Sequence, residues 1–375
     1  MEAFQRATAW VDIGAIARNC ERLRAELEPS SRLCAVVKAN AYGHGVADCA
    51  KAALAGGAEM LAVAAASEAF ELREAKLNKT PILTMGALTD PELDVALSAG
   101  SEIGVWRADF LDDVAERGAA FGVRPRVHVK YDSGMGRLGE KDAAAAERLL
   151  ERAAADERVE LAGFWTHFAT ADEDDRGYLD EQLARFVPLV ERARAAYGES
   201  LLVHAANSAA TLREPASHFD MVRCGIAVYG LDPFGRDSAK QRLEPALGLS
   251  SYVAEVKRFE PGESAGYGRS WTAEQPTHLG IVPIGYGDGV RRALGNRAEV
   301  LIGGRRYRSA GTISMDNLTV DLGPEPVAER GDEVVLLGRS GEDAVRAEEW
   351  AGLLETINYE VTCGISPRVP RIVRK

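Results

Sequence analysis

Cysteine is scarce in this sequence and never arranged for pairing. Cys20, Cys34, Cys49, Cys224 and Cys363 are odd in number, widely scattered and never spaced C-x-x-C. That argues against a disulfide framework and reads as reduced thiols in a cytoplasmic protein. Histidine is nearly as rare: six occur, no two at zinc-ligand spacing, so no metal is expected. No apolar run approaches the ~20 residues that span a bilayer. The first dozen residues carry Glu2, Arg6 and Asp12 and lack the apolar stretch of a secretory signal. Basic blocks are missing as well, and the net charge of −12 disfavours phosphate backbones and anionic membranes. Neither nucleic acid nor membrane is expected as a partner. Apart from an alanine cluster at 143–146, no low-complexity tract occurs.

What the chain does have is length and alternation. At 375 residues it exceeds what one compact core usually organises, so two domains are expected. A helical stripe at Ile16, Cys20, Leu23 and Leu27 closes at Pro29, and an apolar strand follows over Leu33–Lys38. Further apolar strands fall near 60–65, 82–85, 101–105, 126–131, 160–166, 201–206 and 220–224, with amphipathic segments between them. Ser67 and Asp90-Pro91 read as helix starts. Eight strands alternating with helices predict an α/β fold with a parallel (β/α)8 TIM-type barrel over 13–243, in preference to an open doubly wound sheet. From 244 to 375 strands follow strands: Ser250–Phe259, His278–Ile284, Ala298–Ile302 joined across Gly303-Gly304 to Arg306–Ala310, Leu318–Leu322 and Glu333–Leu337. Only 347–357 reads as helical, so this is a second, mainly β domain.

In such a barrel the working residues lie at the carboxyl ends of strands. The distinctive residues of this chain fall there: Lys38, Lys130 with Arg137, His167, Asn207-Ser208, and Arg223 with Gly225-Ile226. A lysine ending a buried strand is poorly solvated, which lowers its pKa and frees the amine to attack an aldehyde. The same lysine could simply snorkel to solvent. Gly225-Ile226, after the eighth strand, and Ser208, after the seventh, stand where barrels hold phosphate on backbone N–H groups. The run Asp132-Ser133-Gly134-Met135-Gly136-Arg137 is a glycine-rich loop whose guanidinium fork suits a carboxylate. His167 reads either as a core histidine or as a relay member. In the second domain Gly266-Tyr267-Gly268 and Gly285-Tyr286-Gly287-Asp288-Gly289 set tyrosines between glycines, which ordinarily marks an aromatic covering a bare turn.

Taken together, Ala35-Val36-Val37-Lys38-Ala39-Asn40-Ala41-Tyr42-Gly43-His44-Gly45 and these later motifs resemble, in order and over nearly the whole chain, the alanine racemases. The resemblance implies pyridoxal 5'-phosphate bonded to Lys38, with Tyr42, Ser208, Gly225, Ile226 and Tyr359 on the phosphate side. It implies that Arg223 faces the pyridine nitrogen. A guanidinium donates a hydrogen bond but no proton, so that ring would stay neutral, which disfavours transamination and β-elimination. Arg137 and Met315 would hold the substrate carboxylate, Tyr286 and Asp316 the entrance, and Lys130 matches a position that some members carry as a carbamate. Lys38 would serve as the D-side base and Tyr267 as the L-side base, with His167 and Arg223 stabilising the phenolate. The family further implies L- and D-alanine as substrates, D-alanine supply for peptidoglycan, a homodimer with shared sites, and a first strand, 1–12, that joins the second domain. Ser314 stands where the family often has cysteine. The alternatives are a broad-specificity or serine racemase, a decarboxylase of the same fold type, and a noncatalytic pyridoxal-phosphate homeostasis protein, which lacks a second domain.

Overall fold

The computed structural model describes residues 5–374. Short apolar runs dictate its first unit, residues 16–234 with 239–243. After strand β1 (Thr8–Asp12), which belongs to the other unit, come β2 (Arg32–Val36), β3 (Met60–Val63), β4 (Ile82–Thr84), β5 (Glu102–Val105), β6 (Arg126–Lys130), β7 (Glu160–Trp165), β8 (Leu202–His204) and β9 (Met221–Cys224). Each pairs in parallel with the next, and β2 closes on β9, giving an eight-stranded barrel. Runs such as Met60-Leu61-Ala62-Val63 are buried at every position because a parallel barrel has helices outside and side chains within. The (β/α)8 expectation therefore holds. Some local readings shift. Thr89 rather than Asp90 caps the helix Asp90–Ser98, with Glu92 bonding back to it, and Ser67 lies inside the helix Ala66–Glu74 rather than at its start.

Among the described residues, the second unit comprises 5–15, 235–238 and 244–374. A seven-stranded sheet places β1 between Leu247–Tyr252, antiparallel to it, and Arg371–Arg374, parallel to it. Glu255–Phe259, Thr277–Val282 and Leu318–Gly323 form a three-stranded sheet. The expected strand Ser250–Phe259 is thus two strands in different sheets, broken after Tyr252. The hairpin across Gly303-Gly304 forms, with Ile302 opposite Arg305. A short helix, Asn358–Cys363, and the final strand, Arg371–Arg374, went unread because each is too short to display a period.

Candidate active site

Lys38 does not end its strand. Strand β2 stops at Val36, Val37 still donates to the Ala62 carbonyl, and Lys38 opens a tight turn in which Ala39, Asn40, Ala41 and Tyr42 have φ of 52°, 53°, 54° and 53°. Four consecutive left-handed residues, none of them glycine, cost about 1–2 kcal/mol each. Neighbouring polar groups hold them there. Glu68 accepts from the Ala39 N–H at 2.6 Å and also from Ala64 and Ala65, and His44 Nδ1 lies 3.0 Å from the carbonyls of both Ala41 and Tyr42. Backbone held this tightly in a sparsely populated region is a usual companion of function. Ala39 is exposed, so Ala39→Gly relieves its strain without losing packing. Set against the added freedom of the unfolded chain, the expected gain is about 0.5 kcal/mol. The urea midpoint of the barrel should rise; a lower midpoint would mean that the turn is unstrained.

Tyr42 packs its ring 5.0 Å from that of Tyr229, whose hydroxyl donates to the Val36 carbonyl at 2.9 Å. Across from Tyr42 lies Gly225. A Cβ there would stand 2.2 Å from the Tyr42 hydroxyl oxygen, so only glycine fits. The Ser208 hydroxyl accepts from the Gly225 N–H at 2.9 Å and lies 3.4 Å from the Ala227 nitrogen. Two hydroxyls and backbone N–H groups thus converge at the start of the turn Ile226–Tyr229, with no side chain at Gly225 to fill the space. That donor set suits a phosphate.

Arg223 is 3% exposed. Its guanidinium donates to the carbonyls of Thr166 and Ala205, both at 2.9 Å, and to Nδ1 of His204 at 2.8 Å and of His167 at 3.1 Å. Burial pushes its pKa down to about 10. Two cations lie near the Trp165 ring: the Arg223 guanidinium carbon is 4.8 Å and Lys130 Nζ 4.2 Å from its centre. Burial, aided by the charges of Arg223 and Arg137, lowers Lys130 to about 7. Burial and the same cations also hold His167 neutral. Since Arg223 donates to its Nδ1, the His167 proton sits on Nε2.

The glycine-rich loop is organised by Asp132, its first residue, whose role the spacing alone does not reveal. One oxygen accepts from the N–H groups of Gly134, Met135 and Gly136 at 2.6–3.1 Å, and the other from Arg137 at 3.1 Å. Burial opposes the charge, but these four donors together hold the carboxyl below its usual range. An aspartate opening a glycine-rich turn was a readable signal. Gln182, fully buried, ties this loop to the next one by donating to Ser133 Oγ at 3.2 Å and to the His167 carbonyl at 3.1 Å. Arg137 itself is exposed at the loop's end. The barrel therefore brings Lys38, Tyr42, Lys130, His167, Ser208, Arg223, Gly225 and Ile226 to the carboxyl ends of β2, β6, β7, β8 and β9.

In the second unit Tyr267 sits at the tip of a hairpin between Ser264–Ala265 and Trp271–Thr272, 72% exposed. Tyr286 and Met315 are brought together by their backbones: Tyr286 N–H donates to Ser314 at 3.0 Å and Gly287 N–H to Met315 at 2.9 Å. A Cβ on Gly285 would stand 2.2 Å from the Ser314 carbonyl oxygen, so this glycine serves close backbone approach rather than a bare turn. Asp288, 1% exposed, pairs with Arg6 at 2.6 Å and accepts from Gly285 N–H at 2.9 Å, which fixes the loop. Arg368 bonds Asp316 at 2.7 Å and holds its carboxyl below the usual range. Tyr359 lies half-buried on the helix Asn358–Cys363. Among the described residues no cluster of His, Cys, Asp and Glu could hold a metal ion, and no helix is long and apolar enough to cross a membrane.

Comparison with known proteins gives this arrangement a lineage. Residues 11–233 match the family model "Alanine racemase, N-terminal domain", and 246–373 match "Alanine racemase, C-terminal domain". An alanine racemase of Geobacillus stearothermophilus is 42% identical, with 99% of this chain and 95% of that protein covered. Alanine racemase 1 of Bacillus subtilis is 41% identical over 98% of this chain and 93% of its own length. The crystal structure of alanine racemase from D-cycloserine-producing Streptomyces lavendulae superposes with a TM-score of 0.94 at 38% identity, over 100% of this chain and 98% of that one. The enzyme from Bacillus anthracis, solved with bound L-Ala-P, does so with a TM-score of 0.91 at 35% identity, over 100% of this chain and 96% of that one. Motifs, fold and full-length similarity agree: this chain belongs to the alanine racemase family.

Proposed function

We propose that the protein interconverts L- and D-alanine with pyridoxal 5'-phosphate, using one base on each face of the substrate. The observation that carries this reading is the join of three features at one barrel mouth: Lys38 on its strained turn, the hydroxyl and N–H cup around Gly225, and a buried arginine, rather than a carboxylate, at the end of β9. Tyr42, Ser208, Gly225 and Ile226 would hold the phosphate, with Tyr359 as a further hydroxyl, and Lys38 the aldehyde carbon. When bound, the cofactor withdraws electrons from the amino acid's α-carbon and makes its hydrogen removable. Arg223 would offer the ring nitrogen an N–H donor without a proton to give, and that nitrogen would stay neutral.

Lys38 then moves the proton on the D side, and Tyr267 on the L side. A phenol of pKa about 10 needs its anion stabilised to act as a base near neutrality. With Nδ1 occupied by Arg223, His167 has its Nε2–H available to donate to that oxygen. The exposure of Tyr267 at a hairpin tip, with Met315 and Tyr286 also exposed, supports a homodimer in which these residues complete the partner's site. Four of the five cysteines are buried thiols, which suits a reducing cytoplasm. The D-alanine formed would serve peptidoglycan synthesis.

Arg137 would grip the substrate carboxylate, with Met315 beside it, while Tyr286 and Asp316 line the entrance. Arg137→Lys keeps the charge and loses the planar fork. The expected result is a fall of about tenfold to a hundredfold in kcat/KM with the yellow cofactor absorbance intact. Unchanged kcat/KM would remove Arg137 from the site. Lys130, near pKa 7, is an amine that can take up carbon dioxide, losing a proton to form a carbamate that gives Arg137 an anionic partner. Below about pH 7 the amine is protonated and the carbamate should be lost. Protein equilibrated with 13C-bicarbonate should show a carbamate resonance that Lys130→Ala lacks; the same signal in both would exclude this residue.

Racemisation of L-alanine, L-serine and L-lysine by purified protein, followed by chiral separation, tests the function. L-alanine should react fastest. Preference for serine or lysine would favour a broader racemase, and turnover of none would leave only a binding protein.

A further inference from the structure

The interior of an eight-stranded barrel is normally filled by layers of branched apolar side chains. Here a polar chain crosses it. Glu102 is the first residue of β5, at the mouth opposite Lys38, and its side chain is 12% exposed. Its Oε2 lies 2.6 Å from Nε2 of His128, its Oε1 lies 3.1 Å from Arg126 Nε, and Arg126 also pairs with Glu160. Nδ1 of His128 lies 2.9 Å from Nε2 of His204, and Nδ1 of His204 lies 2.8 Å from Arg223. Both histidines are 0% exposed. The barrel makes room for them: a Cβ on Gly163 of β7 would stand 2.2 Å from His128 Nδ1.

The chemistry of the two ends fixes every proton between them. Arginine can only donate, so His204 Nδ1 accepts and its proton lies on Nε2. That proton is donated to His128 Nδ1, which leaves the His128 proton on Nε2, donated to the Glu102 carboxylate. Two neutral imidazoles thus connect a carboxylate to a buried guanidinium that, among the described residues, makes no direct ion pair. A buried charge of this kind is costly unless it is compensated.

We propose that Glu102 is the counter-charge of Arg223 and a positioning residue for the cofactor's ring nitrogen, acting through His128 and His204 from the far mouth of the barrel. This rests on the reading that Arg223 faces that nitrogen. Removing the carboxylate charge leaves the guanidinium a stronger donor, which pulls the nitrogen's electron pair further toward it. Glu102→Gln removes the charge while keeping an oxygen for His128. Glu160→Gln removes a charge from the same mouth but outside the chain, and serves as the control.

Two signals in the holoenzyme at pH 7 decide it. With 15N-histidine, His128 and His204 should both be neutral and protonated on Nε2; a proton on Nδ1 of either would overturn the chain. With pyridoxal phosphate labelled by 15N in its ring, Glu102→Gln should displace the resonance toward the protonated position, and Glu160→Gln should leave it in place. No displacement, or an equal one in both variants, would overturn the role of Glu102. Glu102→Ala, at the same partly exposed position, should reproduce the displacement and stands in should the Gln variant fold poorly. Failure of the labelled cofactor to bind, or a fully protonated nitrogen in the wild type, would instead contradict the assignment of Arg223; the histidine spectrum separates the two cases.

Discussion

Tyr267→Phe is expected to lower racemisation by about 10²–10⁴-fold in both directions, the range associated with losing a general base. Both directions must fall together, because each complete turnover crosses both faces of the α-carbon and no enzyme alters the overall equilibrium. Exchange of the α-hydrogen with solvent needs only one face. With Lys38 intact, the variant should still wash deuterium into D-alanine with retained configuration, while L-alanine exchanges far more slowly. The hairpin tip is exposed and its hydroxyl supports no fold, so unfolding offers no alternative explanation. Comparable exchange from the two enantiomers would falsify the placement of Tyr267 on the L face.

In the proposed mechanism, Lys38→Ala removes one base and the covalent hold on the cofactor together. Racemisation should fall by more than about 10⁴-fold. The yellow absorbance should disappear, while pyridoxal phosphate still binds through the cup around Gly225 and Ser208. The variant also tests the shared site. If the chains pair as proposed, with Tyr267 completing the partner's site, mixing with Tyr267→Ala chains gives heterodimers in which one site bears both lesions and the other neither, so activity should partly return. No recovery, with subunit exchange demonstrated, would place both bases in one chain's own site.

How far the sequence foretold this molecule depends on the range over which each signal acts. Apolar runs between amphipathic helices made the barrel legible, because burial on both faces leaves a mark in composition. The turn after Lys38 left almost none. Of its four left-handed residues only Asn40 belongs to a type that favours that region; the others are forced there by Glu68 and His44, whose approach depends on neighbouring elements. His128 and His204 could be placed on strands, but their contact requires the register of β6, β7 and β8, including a shift between Val127 and His128. Asp132 was visible as a turn former, yet its four donors became countable only with the loop folded around it.

Borohydride reduction of the cofactor-loaded protein, followed by peptide mapping, is the most direct test of the claim on which the rest depends. Reduction fixes pyridoxal phosphate to whichever amine holds it. Two lysines of the barrel mouth compete on chemical grounds: Lys38 on its strained turn, and Lys130, buried and held near pKa 7. The pyridoxyl group is expected on Lys38 alone, and its recovery on Lys130 would contradict the assignment of Lys38.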